Sequence, residues 1–101
     1  MVIFTVMITA KPGLRGEYVK ALADSGVIEQ IRQQEGNVFY QIAPSGIDDD
    51  VMVVTDCWAD VPTFTAHDQS DLVKEIWWPL YDKYAVKFDT YLMKDVTPEQ
   101  I

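Results

Sequence analysis

The chain has 101 residues, 49% apolar and 12% aromatic, with a formal net charge of −8. That length is near the usual size of one domain, so residues 1–101 read as a single unit. The acidic balance disfavours nucleic acid, which is bound by Lys and Arg neutralising phosphates, and an anionic membrane surface for the same reason.

A chain this short buries roughly 60–65% of the surface its unfolded form exposes. So large an apolar share therefore predicts a second burial surface, either a partner subunit or a pocket. Val2 to Thr9 is β-branched and apolar, with Phe4, Val6 and Ile8 on one face and Ile3, Thr5 and Met7 on the other. It carries no positive flank and ends at the turn Lys11-Pro12-Gly13, too short for a membrane span and unlike a signal peptide. The expected location is the cytoplasm. From Gly16 to Gln34 the apolar spacing of Val19, Leu22, Ala23, Val27 and Ile31 predicts one helix. Gly26 in its middle is unfavourable by up to about 1 kcal/mol, which points to close packing there. Gly36 fits the left-handed residue that closes a helix.

Asn37 to Ala43 and Val51 to Trp58 read as strands two and three, joined by a polar hairpin through Pro44-Ser45-Gly46 and Asp48-Asp49-Asp50. The aspartate run lacks the spacing and further ligands of a calcium loop and reads as a solvated tip. The only cysteine, Cys57, excludes an intrachain disulfide and a multi-cysteine metal site. It is expected to face away from Trp58 as an inert buried thiol. Asp60 can cap a short helix through Phe64 to His67, with Pro62 tolerated in its first turn. Ser70 can cap another carrying Leu72, Ile76 and Leu80, which Pro79 should bend or divide. Val86 to Met93 is a fourth strand, followed by a tail from Lys94 to Ile101.

The order is β-α-β-β-α-β. The fold class is accordingly α+β and ferredoxin-like, a four-stranded antiparallel sheet with both helices on one face. The first and third strands are apolar on both sides, as Val51 and Val53 against Met52 and Val54 illustrate. A sheet covered on one face only then predicts a homodimer formed through the other.

Several of these residues together resemble the antibiotic biosynthesis monooxygenase family of dimeric α/β-barrel proteins, which includes quinol monooxygenases. They are the Lys11-Pro12-Gly13 turn, Gln34-Glu35-Gly36-Asn37 leading to Tyr40, and the run from Val53 to His67. In that run Trp58 ends a strand, Asp60 starts a helix, Phe64 lies within it and His67 follows, with Ser70 beyond. The resemblance covers nearly the whole chain and implies the dimeric barrel. Similar domains oxidise aromatic polyketides or quinols without a cofactor, degrade haem, isomerise small phosphates, or have no known activity, so the site must decide.

The resemblance makes Trp58 a pocket wall for a flat aromatic substrate, against the plainer reading of a core tryptophan. Its N–H could also donate to a developing oxyanion. His67, the only histidine, is either structural or the base that meets the substrate, since its ordinary pKa permits proton transfer near neutrality. Phe64 lies one turn from it on the same helix face. Tyr40, Tyr81 and Tyr84 are candidates to anchor a phenolic oxygen, with Tyr91 a further hydroxyl. Trp77 and Trp78 are expected to cover the core or the dimer surface. Asp56 could hold an arginine or a substrate hydroxyl, or belong to an ordinary ion pair.

Two departures from the family narrow the choice. Asp71-Leu72 stands where relatives often carry a second histidine, and Thr5, Val6 and Met7 stand where haem-degrading relatives carry an asparagine. Two-histidine mechanisms and haem degradation are both disfavoured. The expected function is cofactor-independent monooxygenation of a small aromatic by dioxygen, no nucleotide-binding glycine motif or metal site being apparent. The alternatives are an isomerase on the same pocket, or a non-catalytic ligand-binding or stress-related dimer.

Overall fold

Runs rich in β-branched residues become the two central strands of the sheet in the computed structural model, which describes residues 1–99. They are β1 (Val2–Ala10) and β3 (Val51–Trp58), with β2 (Asn37–Pro44) and β4 (Ala85–Met93) outside them. The order is β2-β3-β1-β4, every pair antiparallel and the sheet open. This is the ferredoxin-like arrangement expected from the element order. The last two residues of the expected tail, 100 and 101, lie outside the described residues.

The single helix expected from Gly16 to Gln34 is two, α1 (Arg15–Ser25) and α2 (Val27–Arg32). The break is Gly26, whose φ of +76° is left-handed and incompatible with continuing the helix. A Cβ there would meet only Gln30 Nε2, at 3.6 Å. Backbone handedness, and not the close packing expected, is what requires glycine. Tyr18, Leu22, Val27 and Ile31 are buried beneath these helices.

Asp60 caps α3 (Val61–Asp68) by accepting the Thr63 N–H at 2.9 Å, and Thr63 Oγ1 accepts the Asp60 N–H at 3.4 Å. Pro62 sits in the first turn as expected. The next segment divides before Pro79. Val73–Trp77 is a π-helical turn, in which the Trp78 N–H reaches back to the Val73 carbonyl, and α4 (Trp78–Tyr84) follows. Proline supplies no N–H to an α-helical ladder, and the wide turn removes the need for one.

On the helix side of the sheet Val6, Ile8, Met52, Val54 and Trp58 are at most 3% exposed. The outer face is the uncovered one, with Met7 at 36%, Phe39 at 38% and Tyr91 at 58% exposed. Cys57 is on that side, 1% exposed beside Met1 Sδ, and burial raises its thiol pKa. The hairpin tip is held by α1. Arg15 donates to the carbonyls of Asp48 (2.9 Å) and Val51 (3.1 Å), while the Gly13 N–H donates to the Asp50 carboxylate at 2.9 Å. Among the described residues no group of three or more His, Cys, Asp and Glu is placed to hold a metal ion. Nor is any helix among them long and apolar enough to cross a membrane.

Candidate active site

Strand register builds the floor of a cleft. Leu92, Phe4, Asp56 and Tyr40 are partners across β4, β1, β3 and β2, one residue from each strand. Thr90, Val6 and Val54 form the next row. Tyr40 reaches its row because the β2–β3 register shifts between Asn37 and Phe39. An extra residue in a strand re-aims the side chains after it. Phe64 and His67 of α3 close one side, and Val73, Trp77 and Trp78 close another. The enclosed volume is about 340 Å³, at the small end of the usual range for ligand pockets.

His67 is held by a network that fixes its tautomer. The Ser70 hydroxyl donates to the His67 carbonyl at 2.7 Å, so Ser70 Oγ can only accept from Gln34 Nε2, at 3.2 Å. That turns Gln34 Oε1 toward His67 Nδ1, 2.6 Å away, and Nδ1 must carry the hydrogen. Nε2 is left as the lone pair. The ring stacks on Trp58, centroids 4.5 Å apart, and burial lowers its pKa from 6.5 to about 4. At neutral pH the imidazole is therefore uncharged.

Asp56 is 1% exposed at the cleft floor. Its Oδ2 accepts the Trp58 indole N–H at 2.6 Å, and its Oδ1 has no partner among the described residues. Burial raises its pKa to about 6, against the opposing pull of the Trp58 N–H. Tyr40 is 3% exposed, and its hydroxyl oxygen accepts the Trp77 N–H at 3.2 Å. Burial first, and then the charge of Asp56, push the phenol's pKa upward. Of the cleft's titratable groups, Asp56 is thus a stronger base than His67 in the near-neutral range.

The structure brings together Tyr40, Asp56, Phe64 and His67. It does not place Trp58 as a wall. That indole is 0% exposed behind His67, and its N–H is spent on Asp56, so a substrate meets neither its face nor its donor. Asp56 has no arginine or other ion-pair partner among the described residues. Tyr81 and Tyr84 are outside the cleft, stacked on Trp77 and Tyr18 respectively. Both belong to α4, which begins at Trp78 after the π-helical turn. Trp77 and Trp78 pack on the core as expected, Trp77 within it and Trp78 against it, and both also line the cleft. Gln34 was legible as part of a motif, but its grip on His67 spans 33 residues of sequence and leaves no local pattern. Phe88 and Leu92 of β4 likewise look like plain strand residues.

An open antiparallel sheet in this order, with an aromatic cleft between its helix side and α3, defines a ferredoxin-like α+β domain with a site of small-molecule size. The family model described as antibiotic biosynthesis monooxygenase matches residues 1–77, and the chain belongs to that family. Similar solved structures include a protein from Shewanella oneidensis with a TM-score of 0.81 at 16% identity, covering 91% of this chain and 87% of that one. A Deinococcus radiodurans protein named for the same family has a TM-score of 0.82 at 15% identity, covering 100% and 98%. A conserved protein from Methanosarcina mazei has a TM-score of 0.79 at 21% identity, covering 93% and 92%. At these identities the likeness is one of fold. No curated protein matches the chain.

Proposed function

We propose that the chain is a cofactor-independent monooxygenase acting on a small hydroxylated aromatic, such as a quinol. One observation carries this reading: an apolar, aromatic cleft whose floor holds a buried carboxylate with a free oxygen and a pKa of about 6. Proton abstraction needs a base poised near the working pH, and Asp56 suits that role better than the His67 of the sequence reading. His67 and the Tyr40 hydroxyl are further hydrogen-bonding groups of the same cleft.

The electrons come from the substrate. Asp56 takes the phenolic proton, and the resulting phenolate passes an electron to dioxygen. The two radicals join in a carbon–oxygen bond to give a peroxide anion, Asp56 returns its proton to it, and the resulting hydroperoxide loses water. A ring C–H becomes C–OH at the quinone level, and the second oxygen atom leaves as water. Apolar walls keep bulk water from the intermediates.

The test is dioxygen uptake with a panel of hydroquinones, naphthoquinols and anthrones, with product mass checked for one added oxygen. Asp56→Asn is expected to lower turnover by about 10²-fold or more. Unchanged turnover in that variant refutes the assignment of the base.

The burial of Trp58 and its spent N–H favour a second reading, a ligand-binding dimer without chemistry. It predicts quinol binding with no oxygen uptake. An isomerase acting on phosphates is less well supported, because no lysine or arginine lines the cleft among the described residues. In either reading we propose a cytoplasmic homodimer joined through the outer sheet face.

A further inference from the structure

The cleft's polar groups are notable for what they omit. Its charged lining residues are Asp56 and Asp68, both acidic. Asp56 is 1% exposed, with Oδ2 bound to Trp58 and Oδ1 unpartnered. Two neighbouring donors are committed elsewhere, and the Tyr40 O–H makes no hydrogen bond to Oδ1. The Trp77 N–H serves the Tyr40 hydroxyl, and the His67 Nδ1–H serves Gln34. A buried acceptor without a donor is costly, and a ligand that supplies one removes that cost.

Resting on the reading above, we propose that Asp56 selects the ligand by charge: the cleft takes a neutral hydroxylated aromatic of one or two rings, its O–H donated to Asp56, and rejects carboxylated, sulfonated or phosphorylated forms. An anion would lie against a carboxylate with no cation to offset it, in surroundings where charge repulsion is poorly screened. An organic ammonium would be attracted, but it must shed its hydration shell among Phe4, Phe64 and Trp77, which a phenol does far more cheaply. The volume of about 340 Å³ sets the ring limit.

Three matched probes test this by 1H–15N NMR titration at about pH 7.5: 2-naphthol, 2-naphthoate and 2-naphthylmethylammonium. The expected result is a shift of the Trp77 indole resonance with naphthol, and naphthol affinity at least about tenfold above those of naphthoate and the ammonium. Asp56→Asn should narrow the naphthol–naphthoate gap to about threefold or less. Equal or tighter naphthoate binding overturns the proposal. So does an unchanged ratio in the variant, tightest binding of the ammonium, or no shift with any probe at millimolar concentration. If the variant does not fold, the wild-type ratios decide alone. Binding is read without turnover, so a chain that selects naphthol but consumes no dioxygen fails the oxygenase reading and keeps this one.

Discussion

At the scale of single residues, Asp56 and His67 pull stability in opposite directions over one pH window. The folded pKa of Asp56 is raised to about 6, so its charge is disfavoured in the native state. Its contribution is greatest below the unfolded value near 3.8 and is lost as pH rises to about 6. His67 is depressed from 6.5 to about 4, so its penalty appears as pH falls through that range. Each is worth on the order of 2 kcal/mol after allowance for solvent. Urea unfolding between about pH 4 and pH 6.5 should therefore show stability rising with pH in Asp56→Asn and falling with pH in His67→Gln. The wild type should be flatter than both, and parallel slopes in the two variants would refute the opposition. For the proposed reaction, kcat/KM should rise to a plateau through about pH 6. Trp58→Phe removes the N–H that holds the Asp56 pKa down, so that limb should move up by up to about one unit while the plateau is largely kept. A fixed limb would show that the indole does not tune the acid.

At the scale of elements, two backbone irregularities place side chains. Gly26 ends α1 in a left-handed conformation and lets α2 start in a new direction. Gly26→Ala has room for its methyl, so the expected loss of roughly 1–2 kcal/mol is strain at positive φ alone. Thermal unfolding checks this, and a stability gain would mean that helix propensity outweighs the strain. The shift in β2 is the second irregularity. It sets Tyr40 opposite Asp56, whereas unshifted pairing from Asn37 and Trp58 would set Phe39 there. Helix caps were readable because each depends on neighbours in sequence, as Asp60 with Thr63 shows. Neither irregularity has such a local signature: one glycine inside a periodic run reads as a tolerated defect, and a strand's register depends on its partner.

At the scale of the whole molecule, the outer sheet face is unfinished. Met7 lies opposite Val53 near its centre, with Phe39, Tyr91 and Met93 exposed around them. Apolar surface gathered on one sheet face is the usual mark of an interface. Size-exclusion chromatography with light scattering should give twice the 11.5 kDa chain mass at micromolar concentration. Met7→Lys should shift it toward monomer by burying an unpaired charge in the interface. A wild-type monomer would refute the dimer.

The alternation of apolar residues, the caps and the turn chemistry determined the four strands and their succession along the chain, because those signals lie within a few residues of one another, while the family was legible only as a resemblance carried by short motifs. The candidates Tyr40, Asp56, Phe64 and His67 were legible for the same reason, as side chains at fixed places in short motifs. Only the tertiary structure decided what each of them does. Whether Trp58 faces a ligand or lies behind His67, whether Asp56 has a cation beside it, and which tyrosines reach the cleft all depend on contacts between distant segments. Burial and lost solvation then set the charge states, depressing His67 and raising Asp56, and these are properties of packed neighbours that no stretch of sequence carries by itself.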